Sequence, residues 1–271
     1  MVVLREVPKV LAEGRMRRAY AGRRAPRQLC VVGFGLMQNM VGRFYTCRKR
    51  GPRTKFCTMH LMLEIVAGVE LVTRQMWGAK PALPGAIPHV LERITIHHTG
   101  VLSNPKRSLE DKLRGLQAFS QREDKLASGK TKPAWPDIPY HFYISWDGRV
   151  GEGRELKFAG DTNTEYDPKG HLLIVVEGEF DQEKPTEAQM RSLENLLLLV
   201  AEQYGQRTKS LSAFVDLRGH MDFSTQTNCP GKALESELPR LRSWLRRSLR
   251  EKGISLFATN SKLSDVCRNG R

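Results

Sequence analysis

The 271-residue chain predicts an α/β fold, a sheet with helices packed against it. Three observations predict it. Segments that alternate at period two, Arg93 to His97 and Tyr140 to Ser145, interleave with segments of helical period. Leu172 to Val176 is a continuous apolar run of strand length, as expected of a central strand covered on both faces. Leu193, Leu196, Leu197 and Val200 recur at the spacing of one buried helix face.

The elements follow in order from about residue 70. Arg93 to His97 reads as a half-buried strand. Ser108-x-x-Asp111 resembles a capping box and starts a helix expected to run to about Leu126. Gly129, Pro133 and Pro136 make 128–136 a loop. Tyr140 to Ser145 turns at Asp147-Gly148 and returns at Arg149-Val150, a hairpin. Thr186-x-x-Gln189 caps a second helix, and Gly205 stands where a C-terminal glycine is expected. A last helix is expected over about Leu234 to Arg250, with Leu238, Leu241 and Leu245 on its buried face and Pro239 in its first turn. The 251–271 tail is polar and reads as loose.

Composition excludes several classes. No run of 18 apolar residues exists, so a spanning helix is not expected, and five cysteines are too few for a dense disulfide scaffold. The net charge of +15 is unevenly placed: residues 1–60 hold 14 Lys+Arg and 2 acidic residues, residues 61–271 hold 30 and 27. Residues 1–60 read as a basic, disordered extension upstream of the true start, with Met59 or Met62 as candidate starts. An export segment built on the apolar run Leu29 to Val41 is the alternative, and a polyanion-binding arm a further one. Export would place the protein in the cell envelope, the periplasm or outside the cell; otherwise it is cytoplasmic. The near-neutral remainder carries no nucleic-acid-binding signature, so no specific nucleic acid is expected as a partner. Oligomeric state is not legible.

Three separated spots carry metal-ligand chemistry: His97-His98-Thr99 at a strand end, Gly219-His220-Met-Asp222, and Cys229-Pro230-Gly231 nine residues after His220. Two imidazoles and a thiolate suit Zn²⁺, and three protein ligands leave a fourth position open, the arrangement of catalytic zinc. The same residues also serve as ordinary core residues in many proteins, and no compact motif such as HExxH joins them.

These spots occur in order with Arg74-Gln-Met-Trp77-Gly78, Trp135-Pro-Asp137-Ile-Pro-Tyr140-His141-Phe142 and Asp147-Gly148-Arg-Val-Gly-Glu152. Over about residues 70–250 the chain resembles the zinc N-acetylmuramoyl-L-alanine amidases of the type 2 and peptidoglycan recognition protein family. The disulfide cysteines of animal members have no counterpart between His97 and Tyr140, so it looks like the bacterial branch. The resemblance implies a mixed, mostly parallel sheet flanked by helices, with a zinc cleft at one edge. It implies hydrolysis of the amide between N-acetylmuramic acid and L-alanine in peptidoglycan or muropeptides; a non-catalytic peptidoglycan-binding module is the alternative.

The resemblance also assigns residues. His97, His220 and Cys229 match the ligands of one Zn²⁺, and other members carry aspartate at the third position. Tyr140 matches the family's active-site tyrosine, and a phenol there can donate to an oxyanion. Thr227 falls where members carry lysine or threonine. Some members carry a glutamate base on the central strand; Val175 stands there, and Glu177, two residues on, faces the same way. Asp222 is a candidate for orienting His220. His98 points to the opposite face from His97, for packing or a hydrogen bond behind the ligands. The segments Asp161 to Lys169 and Trp135 to Pro139 are expected as cleft walls, with Trp135 and Asn163 as substrate contacts.

Overall fold

The protein is described by a computed structural model over residues 69–126 and 129–256. The expected basic extension of residues 1–60 and the end of the 251–271 tail lie outside the described residues. Eight strands are present among them: β1 (Leu71–Val72), β2 (Arg93–His98), β3 (Asp124–Lys125), β4 (Thr131–Lys132), β5 (Phe142–Ile144), β6 (Val150–Glu152), β7 (His171–Val176) and β8 (Arg218–Gly219). The helices are α1 (Leu109–Ser120), α2 (Glu187–Tyr204), α3 (Leu211–Phe214), α4 (Lys232–Glu235) and α5 (Leu238–Glu251). Six strands form one sheet in the order β1-β6-β5-β7-β2-β8, and only β5 and β6 pair antiparallel. The sheet is therefore mixed and mostly parallel, as the resemblance implied.

Alternation along the strands divides the core into two faces. Ile94, Ile96, Leu172, Ile174 and Val176 join Leu193, Leu196, Leu197 and Val200 of α2 and Leu238, Leu241, Leu245 and Leu249 of α5. Each such buried leucine contributes about 1.5–3 kcal/mol of apolar transfer free energy. On the other face, Val175 and Tyr143 pack with Val72, Trp77 and Ile138 and with Leu109 and Leu113 of α1. At β2 this second face carries Thr95 and His97 instead of apolar side chains. That exchange places chemistry on a sheet that is otherwise core.

The helix starts follow the sequence. Ser108 Oγ accepts from Asp111 N, and Thr186 and Gln189 close a reciprocal capping box. The helix ends are corrected. α1 stops at Ser120, short of Leu126, because Ser120 O is already taken by Trp135 N (2.8 Å) and by Lys132 Nζ (3.0 Å). The expected 128–136 loop contains β4, which pairs antiparallel with β3. The last helix is two helices: α4 ends near Ser236, and α5 begins with Pro239 at its start, where a missing N–H costs no helical bond. Gly205 ends α2, but in a right-handed conformation that continues as a 3₁₀ turn, Gly205–Arg207. A Cβ there would meet the end of the Leu211 side chain, which packs closely over the glycine. Ile254 and Leu256, at the start of the expected loose tail, pack against the α2–α5 core. Among the described residues no helix is long and apolar enough to cross a membrane.

Candidate metal centre

Parallel pairing of β2 with β7 puts His97 beside Val175 and delivers the His97 ring to the face that carries α1. His220 follows β8, which pairs with β2 at Thr95 and Ile96, so the second imidazole arrives from the adjacent sheet edge. Cys229 is brought in by its own backbone. Its carbonyl accepts from Met221 N (2.7 Å), and its N–H donates to Thr227 Oγ1 (3.1 Å). The donor atoms of His97, His220 and Cys229, all buried, lie within 4.8 Å of one another. His97 Nδ1 stands 3.6 Å from Cys229 Sγ.

These donors fit zinc. Tetrahedral bonds of about 2.0 Å to nitrogen and about 2.3 Å to sulfur put the two ligand atoms about 3.6 Å apart, the separation seen here. His97 Nε2 is buried without a hydrogen-bond partner among the described residues. Burial holds His97 well below the ordinary imidazole range, helped by the neighbouring His220, and pushes His220 down to about 4, so both keep a lone pair at neutral pH. Burial pushes the Cys229 thiol up to about 12 in the metal-free protein. A divalent cation would reverse that preference by stabilising the thiolate. The backbone N–H of His98 points at Sγ from 3.3 Å, a donor suited to the same anion.

Tyr140 is held beside His97 with ring centroids 5.2 Å apart. The preceding residues are locked. Asp137 takes Arg74 Nη2 (2.7 Å), Gln117 Nε2 (2.8 Å) and the N–H of Ile138 (2.8 Å). The buried Arg154 guanidinium donates to the carbonyls of Asp137 (2.8 Å) and Ile138 (2.9 Å). Arg154 N donates to Tyr140 O (2.8 Å), and any Cβ at Gly153 would collide with that same carbonyl. Burial, and then the nearby Cys229, push the Tyr140 phenol far above its usual range, so it stays a neutral donor.

The remaining expected site residues take other places. Glu177 faces the side of Val175, but its carboxylate is committed: Oε2 accepts from Lys112 Nζ (2.8 Å), Trp146 N (3.0 Å) and Ser145 Oγ (3.2 Å), and Oε1 from Asn104 N (2.9 Å). This carboxylate is held in a buried ion pair with Lys112. Asp222 accepts from Gly219 N (2.9 Å) and closes the turn at His220 through the backbone, not the ring. The His98 ring lies on the opposite side, toward Glu179 (4.0 Å) and Phe180. Trp135 is buried against the Lys132 ammonium, 4.4 Å from the ring centroid, so it is packed within the α1 end and does not stand free as a cleft wall. Asn163 meets Lys130 through its carbonyl (2.9 Å).

The segment Asp161 to Lys169 does border the site, through residues other than Asn163. Thr164 Oγ1 lies 2.8 Å from His220 Nε2, and the Tyr166 ring packs on His220 with centroids 5.0 Å apart. Sequence reasoning marked this segment but could not rank its members, since a threonine in a polar loop carries no periodic or spacing signal. Lys112 was equally hidden: a lysine within a helical pattern reads as solvated until Glu177 is placed opposite it.

The sequence model of the Amidase_2 family, N-acetylmuramoyl-L-alanine amidase, matches residues 88–232. Peptidoglycan-recognition protein SC2 of Drosophila melanogaster is 28% identical over 183 residues, covering 67% of this chain and 91% of that protein. An N-acetylmuramoyl-L-alanine amidase of Sus scrofa is 30% identical over 181 residues, 66% of this chain and 28% of that longer protein. The crystal structure of peptidoglycan recognition protein LE, in complex with tracheal cytotoxin, a monomeric diaminopimelic acid-type peptidoglycan, superposes with a TM-score of 0.51. It is 26% identical, and the match covers 63% of this chain and 92% of that one. The matched stretch holds the whole of the His97, His220 and Cys229 cluster, and the chain belongs to the N-acetylmuramoyl-L-alanine amidase family, to which the peptidoglycan recognition proteins are related.

Proposed function

We propose that residues 70–250 form a zinc-dependent N-acetylmuramoyl-L-alanine amidase. The reading rests on one observation, the convergence of His97, His220 and Cys229 beside the Tyr140 phenol. His97, His220 and Cys229 would hold the ion. When bound, zinc supplies Lewis acidity, which sharpens a carbonyl as an electrophile and activates water near neutral pH.

The chain's own groups do the rest. Tyr140 stays protonated and donates to the oxygen of the lactyl carbonyl as negative charge gathers on it. Thr227 accepts from Cys229 N and keeps its own hydroxyl proton free to donate to the same oxygen. Attack by water forms the new carbon–oxygen bond, and the carbon–nitrogen bond to L-alanine breaks. The water's proton reaches the leaving amine through solvent, because Tyr140 stays protonated and Glu177 is engaged with Lys112. The substrate is a muropeptide or the polymer from which it comes, in keeping with the cytotoxin bound by the LE relative.

The test is incubation of the full chain with purified muropeptides, read by product mass. Free stem peptide plus peptide-free glycan, lost with chelator and restored by zinc, is the expected result. Intact muropeptide with one zinc bound per chain would favour a binding module instead, and intact muropeptide with no zinc bound would overturn the ligand assignment.

A further inference from the structure

We infer that the segment Asp161 to Tyr166 is a strap that presets His220 as a metal ligand, with Thr164 as its positioning residue; this rests on the zinc reading above. Thr164 Oγ1 is 2.8 Å from His220 Nε2, and Thr162 Oγ1 lies 2.8 Å from Thr164 Oγ1 while accepting from Thr164 N (3.1 Å). When His220 Nε2–H donates to Thr164, the threonine's single proton passes on to Thr162, and Nδ1 keeps its lone pair for the metal. The opposite polarity would protonate Nδ1 and disable the ligand. The hydroxyl pair accommodates the polarity that binding needs, with Thr162 Oγ1 as the acceptor at the end of the relay.

The strap is fastened at both ends. The Asp161 carboxylate pairs with the Arg154 guanidinium, which the carbonyls of Asp137, Ile138 and Ala159 hold in place. The Glu165 carboxylate accepts from Ser224 Oγ (2.6 Å) and Thr225 N (3.0 Å), on the loop that leads from His220 to Cys229. Tyr166 packs between His220 (5.0 Å) and His171 (5.2 Å), and His171 Nδ1 meets Thr95 Oγ1 of β2 at 2.8 Å. The ligand from the β8 edge is thus registered against the strand that carries His97. The order of fixed points along the strap (Asp161, Thr164, Glu165, Tyr166) leaves the His220 ring little freedom to turn.

The test compares zinc affinity, by competition with a chromophoric chelator, for the full chain, Thr164→Val and Thr164→Ser. Valine keeps the shape and removes the acceptor; zinc affinity is expected to fall roughly 10–100-fold, with serine restoring it close to the original value. Cobalt-loaded spectra should shift for valine and not for serine. Nitrogen NMR of the metal-free original chain at pH 7 is expected to find His220 protonated at Nε2, a measurement that needs no variant to fold. Equal zinc affinity for the valine variant, or an Nδ1–H tautomer in the original chain, would overturn the strap. Failure of the original chain to bind one zinc would instead overturn the metal reading beneath it.

Discussion

At the scale of single residues, the site separates groups that face the reaction from groups that only hold the structure. Tyr140→Phe removes the donor to the oxyanion and leaves the ring beside His97. We expect kcat for muropeptide cleavage to fall about 10²–10³-fold while zinc stoichiometry is unchanged. Steady-state kinetics with metal analysis on the same preparation checks this. Glu177 behaves differently. It lies where a catalytic carboxylate would be sought, yet it neutralises Lys112, and both are buried. Glu177→Ala leaves an ammonium without its partner and should cost about 3–5 kcal/mol of stability, read as a lowered denaturation midpoint. Adding Lys112→Met should recover part of that loss, because it removes the unpaired charge while Trp146 N, Ser145 Oγ and Asn104 N still lack their acceptor. A base at Glu177 predicts otherwise: the double variant would stay inactive however stable it became.

At the scale of elements, starts were easier to read than ends. Ser108 and Thr186 carry their capping signal in the local sequence, because an N-cap bonds to a backbone N–H three residues away. Thr186→Ala should therefore destabilise by about 1 kcal/mol without touching zinc affinity, and urea unfolding beside a metal titration separates the two effects. The end of α1 depends on Trp135 and Lys132, which lie 15 and 12 residues further on, and no local pattern announces them. The break between α4 and α5 was half legible: Pro239 was placed in a first turn, but the turn belonged to a second helix.

At the scale of the molecule, a buried histidine ties β7 to the segment that follows β6. His141 Nδ1 accepts from Leu173 N of β7 (2.9 Å), and Nε2 meets Phe158 O (3.0 Å), so the ring is neutral with its proton on Nε2. Burial pushes this imidazole down from 6.5 to about 3. The unfolded chain therefore binds a proton that the folded chain refuses between those limits. The stability this group contributes is full above about pH 6.5 and is lost as pH falls toward 3. Unfolding free energy should drop by at least about 2 kcal/mol between pH 7 and pH 5, measured by urea titration at both values; a flat profile would contradict the neutral ring.

The amino-acid sequence by itself determined the class of fold, the strands β2, β5 and β7, the starts of α1 and α2, and the three donors of the candidate metal centre. These follow from periodicity, from capping residues within one turn, and from chemistry-bearing residue types in a recognisable order. The tertiary structure alone decided what surrounds those donors. The pairing of β2 with β7 set Val175 beside His97. Packing of α1 gave Glu177 its lysine, and the fastening of 161–166 brought Thr164 to His220. Each of these joins residues at least 56 positions apart through one hydrogen bond, ion pair or strand register, and such contacts leave no periodic trace along the chain.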